Sequence, residues 1–171
     1  MSLQTTFKNA AVLAFLGLAL NCSFAGDLPN AKTTPGALNP DITQANIQST
    51  VCVKGFTKTI RPPVYYTNKL KREQLASEGY ADQNPRDYEE DHLVALSIGG
   101  APFDVRNLWP QPRNSEWNAE KKDQLEFAMF RMLCTNEISL HDAQIAMATN
   151  WIEAWKKYVP THKSFKFGNV D

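Results

Sequence analysis

The chain has 171 residues with 18 basic and 18 acidic side chains. That length suffices for one domain with a real core, and the charge balance excludes a strongly polycationic protein of the histone kind. The composition, 43 % hydrophobic and 21 % charged, excludes a disordered or fibrous chain.

The N-terminus comes first. Lys8 precedes an apolar run from Ala10 to Leu20, and Ser23-Phe24-Ala25 places small residues where a signal peptidase reads. Residues 1–25 are therefore expected to be a cleaved secretory signal. The apolar run is short for a membrane span and no later segment approaches one, so no membrane association is expected after cleavage. The expected location is the periplasm or the medium. Loss of the signal removes Cys22 and Lys8, leaving 17 basic against 18 acidic residues and two cysteines, Cys52 and Cys134. An even pair in an exported chain predicts a disulfide.

Residues 26–42 are rich in Pro, Gly, Asn and Thr and read as an extended arm whose mobility the composition leaves open. The remainder, 43–171, is expected to be one domain. Thr43 to Val51 reads as a short helix. Residues 57–66, with Arg61-Pro62-Pro63, read as a strand or a fixed loop. Thr67 is placed to cap a helix through about Glu78. The segment 51–72 carries Lys54, Lys58, Arg61, Lys69, Lys71 and Arg72 with no acid, and Tyr65 and Tyr66 lie among them. Such a segment suits a phosphate backbone, or equally a solvated surface.

Tyr88 to Ile98 reads as a strand with Leu93 inward, ended by Gly99-Gly100. Val105 to Trp109 is a second strand, ended by Pro110-Gln111-Pro112. Ser115 is a candidate cap, and a helix is predicted from Asn118 to about Met132 with Leu125, Ala128, Met129 and Met132 at helical spacing. Ser139-Leu140-His141-Asp142 is a capping box for a last helix through Trp151 and Trp155 to about Tyr158. Trp151 and Trp155 read as core.

Chemistry concentrates in Glu89-Glu90-Asp91-His92 and in Asn107. Hydrolysis of a phosphodiester needs an oxygen ligand for a divalent cation, a neutral imidazole to deprotonate water, and a group that orients the imidazole. Asp91, His92 and Asn107 supply those types in that order. Regular strand alternation points Asp91 and His92 to opposite faces, so both reach one site only if the strand bends or ends there. Asn118 offers an amide oxygen as a second ligand, or merely starts a helix; Glu90 and Glu116 are alternates. Lys121 and Lys122 fall in the helix's first turn, where a phosphate is welcome. Hard oxygen donors favour Mg2+, with Mn2+ or Ca2+ acceptable, over structural zinc.

Glu90-Asp91-His92-Leu93-Val94-Ala95-Leu96, Gly99-Gly100, Asn107-Leu108-Trp109-Pro110 and Lys122-Asp123-Gln124-Leu125-Glu126 together resemble the HNH endonucleases of the His-Me finger class, in particular exported bacterial ones. Lys58-Thr59-Ile60-Arg61-Pro62-Pro63 and Tyr66-Thr67-Asn68-Lys69-Leu70-Lys71 are similar to that subgroup too. The resemblance runs from about residue 40 to 158, with the motif core in 88–126. It implies an α+β fold: a ββα-metal core over about 88–134, embedded in a mainly helical single domain and built around one divalent cation. It assigns Asp91 to the metal, His92 to the general base, Asn107 to positioning and Asn118 to the third position. The spacing of eleven residues from Asn107 to Asn118 departs from other branches and leaves Glu116 open. The implied substrate is DNA, with RNA also open, cut with little sequence preference. Lys58, Arg61, Lys69, Lys121 and Lys122 are the expected phosphate contacts. Two other readings are a non-catalytic nucleic-acid or envelope-binding module on the same fold, and an antibacterial toxin delivered between cells.

Overall fold

The computed structural model describes residues 26–162. The signal-peptide expectation falls on residues 1–25 and lies outside the described residues. The fold mixes helix with one small sheet and is about half helical. In chain order come a 3-10 turn at Ile47–Ser49, α1 (Phe56–Ile60), α2 (Val64–Ser77), β1 (Tyr88–His92), β2 (Leu108–Pro112), α3 (Ala119–Cys134) and α4 (Leu140–Tyr158).

β1 and β2 pair antiparallel, with Tyr88 opposite Pro112, Glu90 opposite Pro110 and His92 opposite Leu108. Two prolines in a five-residue strand look prohibitive. They are tolerated because both fall at the same parity, where alternate residues of an antiparallel ladder turn their N–H away from the partner. The expected second strand at 105–109 is thus displaced: Val105–Asn107 is a 3-10 turn and the strand runs through the prolines.

The expected strand through Ile98 also stops early, at His92. From Leu93 to Ala101 the chain is a fully buried loop. Buried backbone needs partners, and Asn107 supplies them. Its carbonyl accepts from Leu93 N at 2.8 Å, its Oδ1 accepts from Val94 N at 2.8 Å, and its Nδ2 donates to Val94 O at 3.0 Å and Ala101 O at 3.1 Å. Gly100 permits this closure, since a Cβ there would lie 1.8 Å from Val94 O. Gly99 turns the chain at φ +80°.

Helix starts follow capping chemistry. Ser139 Oγ accepts from Asp142 N at 3.1 Å, as the capping box requires. α3 is capped by Asn118, whose Oδ1 accepts from Lys121 N at 3.1 Å, and not by Ser115. α2 begins at Val64, three residues before the expected Thr67 cap, because the extended Arg61-Pro62-Pro63 delivers the chain directly to its first turn. Of residues 57–66, expected as strand or fixed loop, 57–60 fall in α1 and 64–66 in α2. The expected helix at 43–51 shrinks to the 3-10 turn at Ile47–Ser49. α4 carries a break at Asn150, where φ is −165° and ψ 95°. The Asn150 Oδ1 accepts from Ile152 N and Glu153 N, both at 3.1 Å, and so restarts the helix.

α3 and α4 form the main core. Leu125, Ala128, Met129 and Leu133 pack with Ala143, Met147 and Trp151, and the buried loop residues Val94, Ala95 and Ile98 join them. Trp117 meets Trp155 edge-on with centroids 5.4 Å apart. Cys52 and Cys134 are bonded, with Cα atoms 5.7 Å apart, and clip the N-terminal segment to the end of α3. A second, smaller cluster of Leu75, Tyr80 and Tyr88 seats α2 on the other face of the hairpin. The arm from 26 to 42 is docked: Gly36 N donates to Arg106 O at 2.9 Å, Asn39 N to Gly99 O at 2.9 Å, and Leu38 bridges Gly100. It straps the outside of the β1–β2 loop. Among the described residues, no helix is long and apolar enough to cross a membrane.

Candidate active site

His92 ends β1 and is 5 % exposed. Its Nε2 lies 3.0 Å from the carbonyl oxygen of Pro102. A carbonyl only accepts, so Nε2 carries the proton and Nδ1 keeps the lone pair. Burial lowers the His92 pKa; the Pro102 bond and the Asp91 charge oppose that, while Lys122 and Arg61 add to it. The ring is therefore neutral at neutral pH.

Asn107 acts on this ring at one remove. It does not touch the imidazole. It holds Ala101 O and both polar groups of Val94, and so fixes the loop whose next residue, Pro102, presents the carbonyl to Nε2.

Asp91 points to the α3 face. Its Oδ2 is 2.7 Å from Lys122 Nζ, which also donates to His92 O at 2.6 Å and to Glu126 Oε1. Lys122 is 0 % exposed, so it is not the phosphate contact that the sequence suggested. A wholly buried ammonium cannot reach a substrate. Burial alone would lower its pKa, but Asp91 and Glu126 outweigh burial and raise it. In turn, desolvation pushes Asp91 up, and the charge and hydrogen bond of Lys122 bring it below the usual carboxylate range. Burial raises Glu126, with Asp91 adding to the rise. Lys122 thus ties the end of β1 to the second turn of α3. Its inward direction was available in the sequence, since 122, 125 and 129 share a helix face with the apolar residues. The Pro102 carbonyl, a backbone group, left no such signal.

Strand parity shows in the partners of the two neighbours. β1 ends at His92, and Lys122 binds the Asp91 side chain and the His92 backbone carbonyl, while the His92 ring turns to Pro102 O, so the two side chains engage different partners. Asp123 follows on α3. It keeps an exposed edge, but surrounding atoms desolvate its carboxyl and, with Asp91 and Glu89, push it up to about 6. Arg61 is close enough to lower both His92 and Asp123.

The other expected residues are scattered. Asn118 caps α3 with its amide oxygen. Glu116 is exposed ahead of that cap. Glu90 lies across the strand, toward α2, with both carboxyl oxygens buried and without a hydrogen-bond partner. Desolvation and the Asp91 charge push it up to about 9. It leaves the strand on the face opposite Asp91. Lys121 lies over the Trp117 ring, 4.3 Å from its centroid. Lys69 pairs with Glu73 at 3.4 Å, and Lys58 is exposed on α1. Among the described residues, no group of three or more His, Cys, Asp or Glu side chains is placed to hold a metal ion.

No protein-family profile, characterised protein or solved structure matches this chain significantly.

Proposed function

We propose that the chain is a metal-dependent endonuclease of the HNH type, in which β1, β2 and α3 are a ββα-metal core and a nucleic-acid strand, DNA foremost, is the substrate. The observation that carries this reading is the His92 ring: buried, neutral, and fixed through Nε2 by the Pro102 carbonyl beside an ionised Asp91.

The hard oxygens near Asp91 are its own carboxylate and the Asp123 carboxyl on α3, while the Asn118 amide oxygen, the expected second ligand, is engaged in the α3 cap. Oxygen donors of this kind would hold one Mg2+, or Mn2+ or Ca2+, in preference to zinc. Such an ion supplies charge stabilisation for the phosphoryl oxygens. The chain's own residues do the rest. His92 Nδ1 takes a proton from water as the water oxygen bonds to phosphorus. The bond from phosphorus to the leaving oxygen breaks, and solvent protonates that oxygen. Asn107 and Pro102 hold the imidazole in the tautomer that leaves Nδ1 bare. Arg61, close to His92 and Asp123, and Tyr65, 78 % exposed nearby in sequence, supply a cation and an aromatic face for the strand. The Cys52–Cys134 bond is compatible with action outside the cytoplasm.

A non-catalytic nucleic-acid-binding module is the second reading. In its favour, Asp91 is engaged by Lys122 and the Asn118 oxygen is committed to a cap. Incubation with supercoiled plasmid and Mg2+ or Mn2+, with and without chelator, separates the two. Chelator-sensitive nicking supports the nuclease; intact plasmid across the metal series leaves the binding module.

A further inference from the structure

At the end of the hairpin away from His92 the chain gathers cations with no assigned task. Asn68, Lys71 and Arg72 from α2, Arg86 from the turn before β1, Tyr88 and Arg113 line one recess. Lys71 is half-buried and its Nζ donates to Tyr88 O at 3.0 Å, which anchors it at the floor. Burial lowers its pKa, and the charges of Arg113 and Arg72 lower it further. The acids nearby compensate only in part. Arg113 pairs with Glu89 at 2.9 Å. Arg72 and Arg86 have no ion pair among the described residues, and both are exposed. Such an unbalanced concentration of guanidinium and ammonium groups is stabilised by an oxyanion, and Arg presents the bidentate fork that phosphate oxygens match.

We infer that this recess is a phosphodiester subsite, binding the backbone of the same nucleic-acid strand some nucleotides away from the bond at His92. The reading rests on the proposed nuclease function for its choice of anion. Four residue steps of β1 separate Tyr88 from His92, about 14 Å at about 3.4 Å per step. An extended strand spans that distance within one binding footprint. Arg61 marks the His92 end and the recess marks the other, so the cations bracket the hairpin. A subsite that contacts only phosphates fixes the strand without reading bases.

The test is fluorescence anisotropy of a labelled single-stranded 30-mer with the full chain, in chelator so that no cleavage is needed, over a salt series. Arg72→Ala/Arg86→Ala should bind about 10-fold more weakly at low salt, and its slope of log affinity against log salt should fall by about 1–2. Arg72→Lys/Arg86→Lys should restore most of the slope. Equal affinity and slope in the alanine variant would overturn the subsite. Arginine dependence seen only with a sulfated polysaccharide and not with the 30-mer would also overturn it, assigning the recess to another polyanion. Plasmid nicking is scored separately: its failure removes the nuclease reading and leaves the binding result standing.

Discussion

Lys122 Nζ lies 2.7 Å from Asp91 Oδ2, and both side chains are largely withdrawn from water. A buried ammonium shared by one backbone carbonyl and two carboxylates is the joint between the hairpin and α3. Replacing it leaves Asp91 and Glu126 without their cation. Lys122→Met should therefore cost about 3–5 kcal/mol of unfolding free energy, more than a surface lysine by an order of magnitude. Urea denaturation checks this; a loss below about 1 kcal/mol would mean that the triad relaxes without consequence.

Asn107 makes three side-chain hydrogen bonds to a loop that is otherwise sealed. Asn107→Ala should lower stability by about 3 kcal/mol, because Val94 N, Val94 O and Ala101 O lose partners in a dry site. It should also slow cleavage, since the Pro102 carbonyl that holds His92 belongs to the same loop. A stable variant with normal cleavage would separate the loop from the imidazole.

Two of the shifted groups contribute to the pH dependence of stability with opposite signs. His92 has a depressed folded pKa, so its contribution is complete above the unfolded value of about 6.5 and is lost as pH falls through the folded value. Glu90 is raised to about 9, so its contribution is complete below about 4.3 and is lost as pH rises toward 9. Glu90→Gln should accordingly stabilise the chain by about 2 kcal/mol at pH 8 and change little at pH 4. Thermal melts at the two pH values decide it; equal shifts at both would deny that Glu90 carries the proton.

Reduction of the Cys52–Cys134 bond opens a loop with a sequence separation of 82 residues. The chain-entropy argument puts the loss at about 4–5 kcal/mol as an upper figure. Reductant should lower Tm by several degrees, and mass spectrometry without reductant should find Cys52 and Cys134 linked. Two free thiols would refute the bond.

Much of this architecture was readable from residue pattern. The capping box at Ser139, the long apolar face of α3, the cysteine pair and the two-glycine turn each announce themselves by local chemistry, and each is where the pattern puts it. The limits of the strands were not. β1 stops at His92 because Asn107, fifteen residues away, captures the backbone of Leu93 and Val94, a long-range contact that propensity does not encode. β2 tolerates Pro110 and Pro112 through ladder parity, which only the register reveals. In the site, His92 and Asp91 were visible as residue types. The burial of Lys122 was masked by the habit of reading lysine as surface, although its helical phase with Leu125 and Met129 pointed inward.

The central claim is that His92 Nδ1 receives the proton of the attacking water. Single-turnover nicking of supercoiled plasmid by wild type and His92→Ala, at saturating Mg2+ or Mn2+ and pH 7.5, addresses it directly. The variant should lose about 10²–10⁴-fold in rate, and wild type should show an acid limb below about pH 6.5 with a plateau above it. Nicking by His92→Ala at the wild-type rate, in protein that melts as a folded chain, would contradict it.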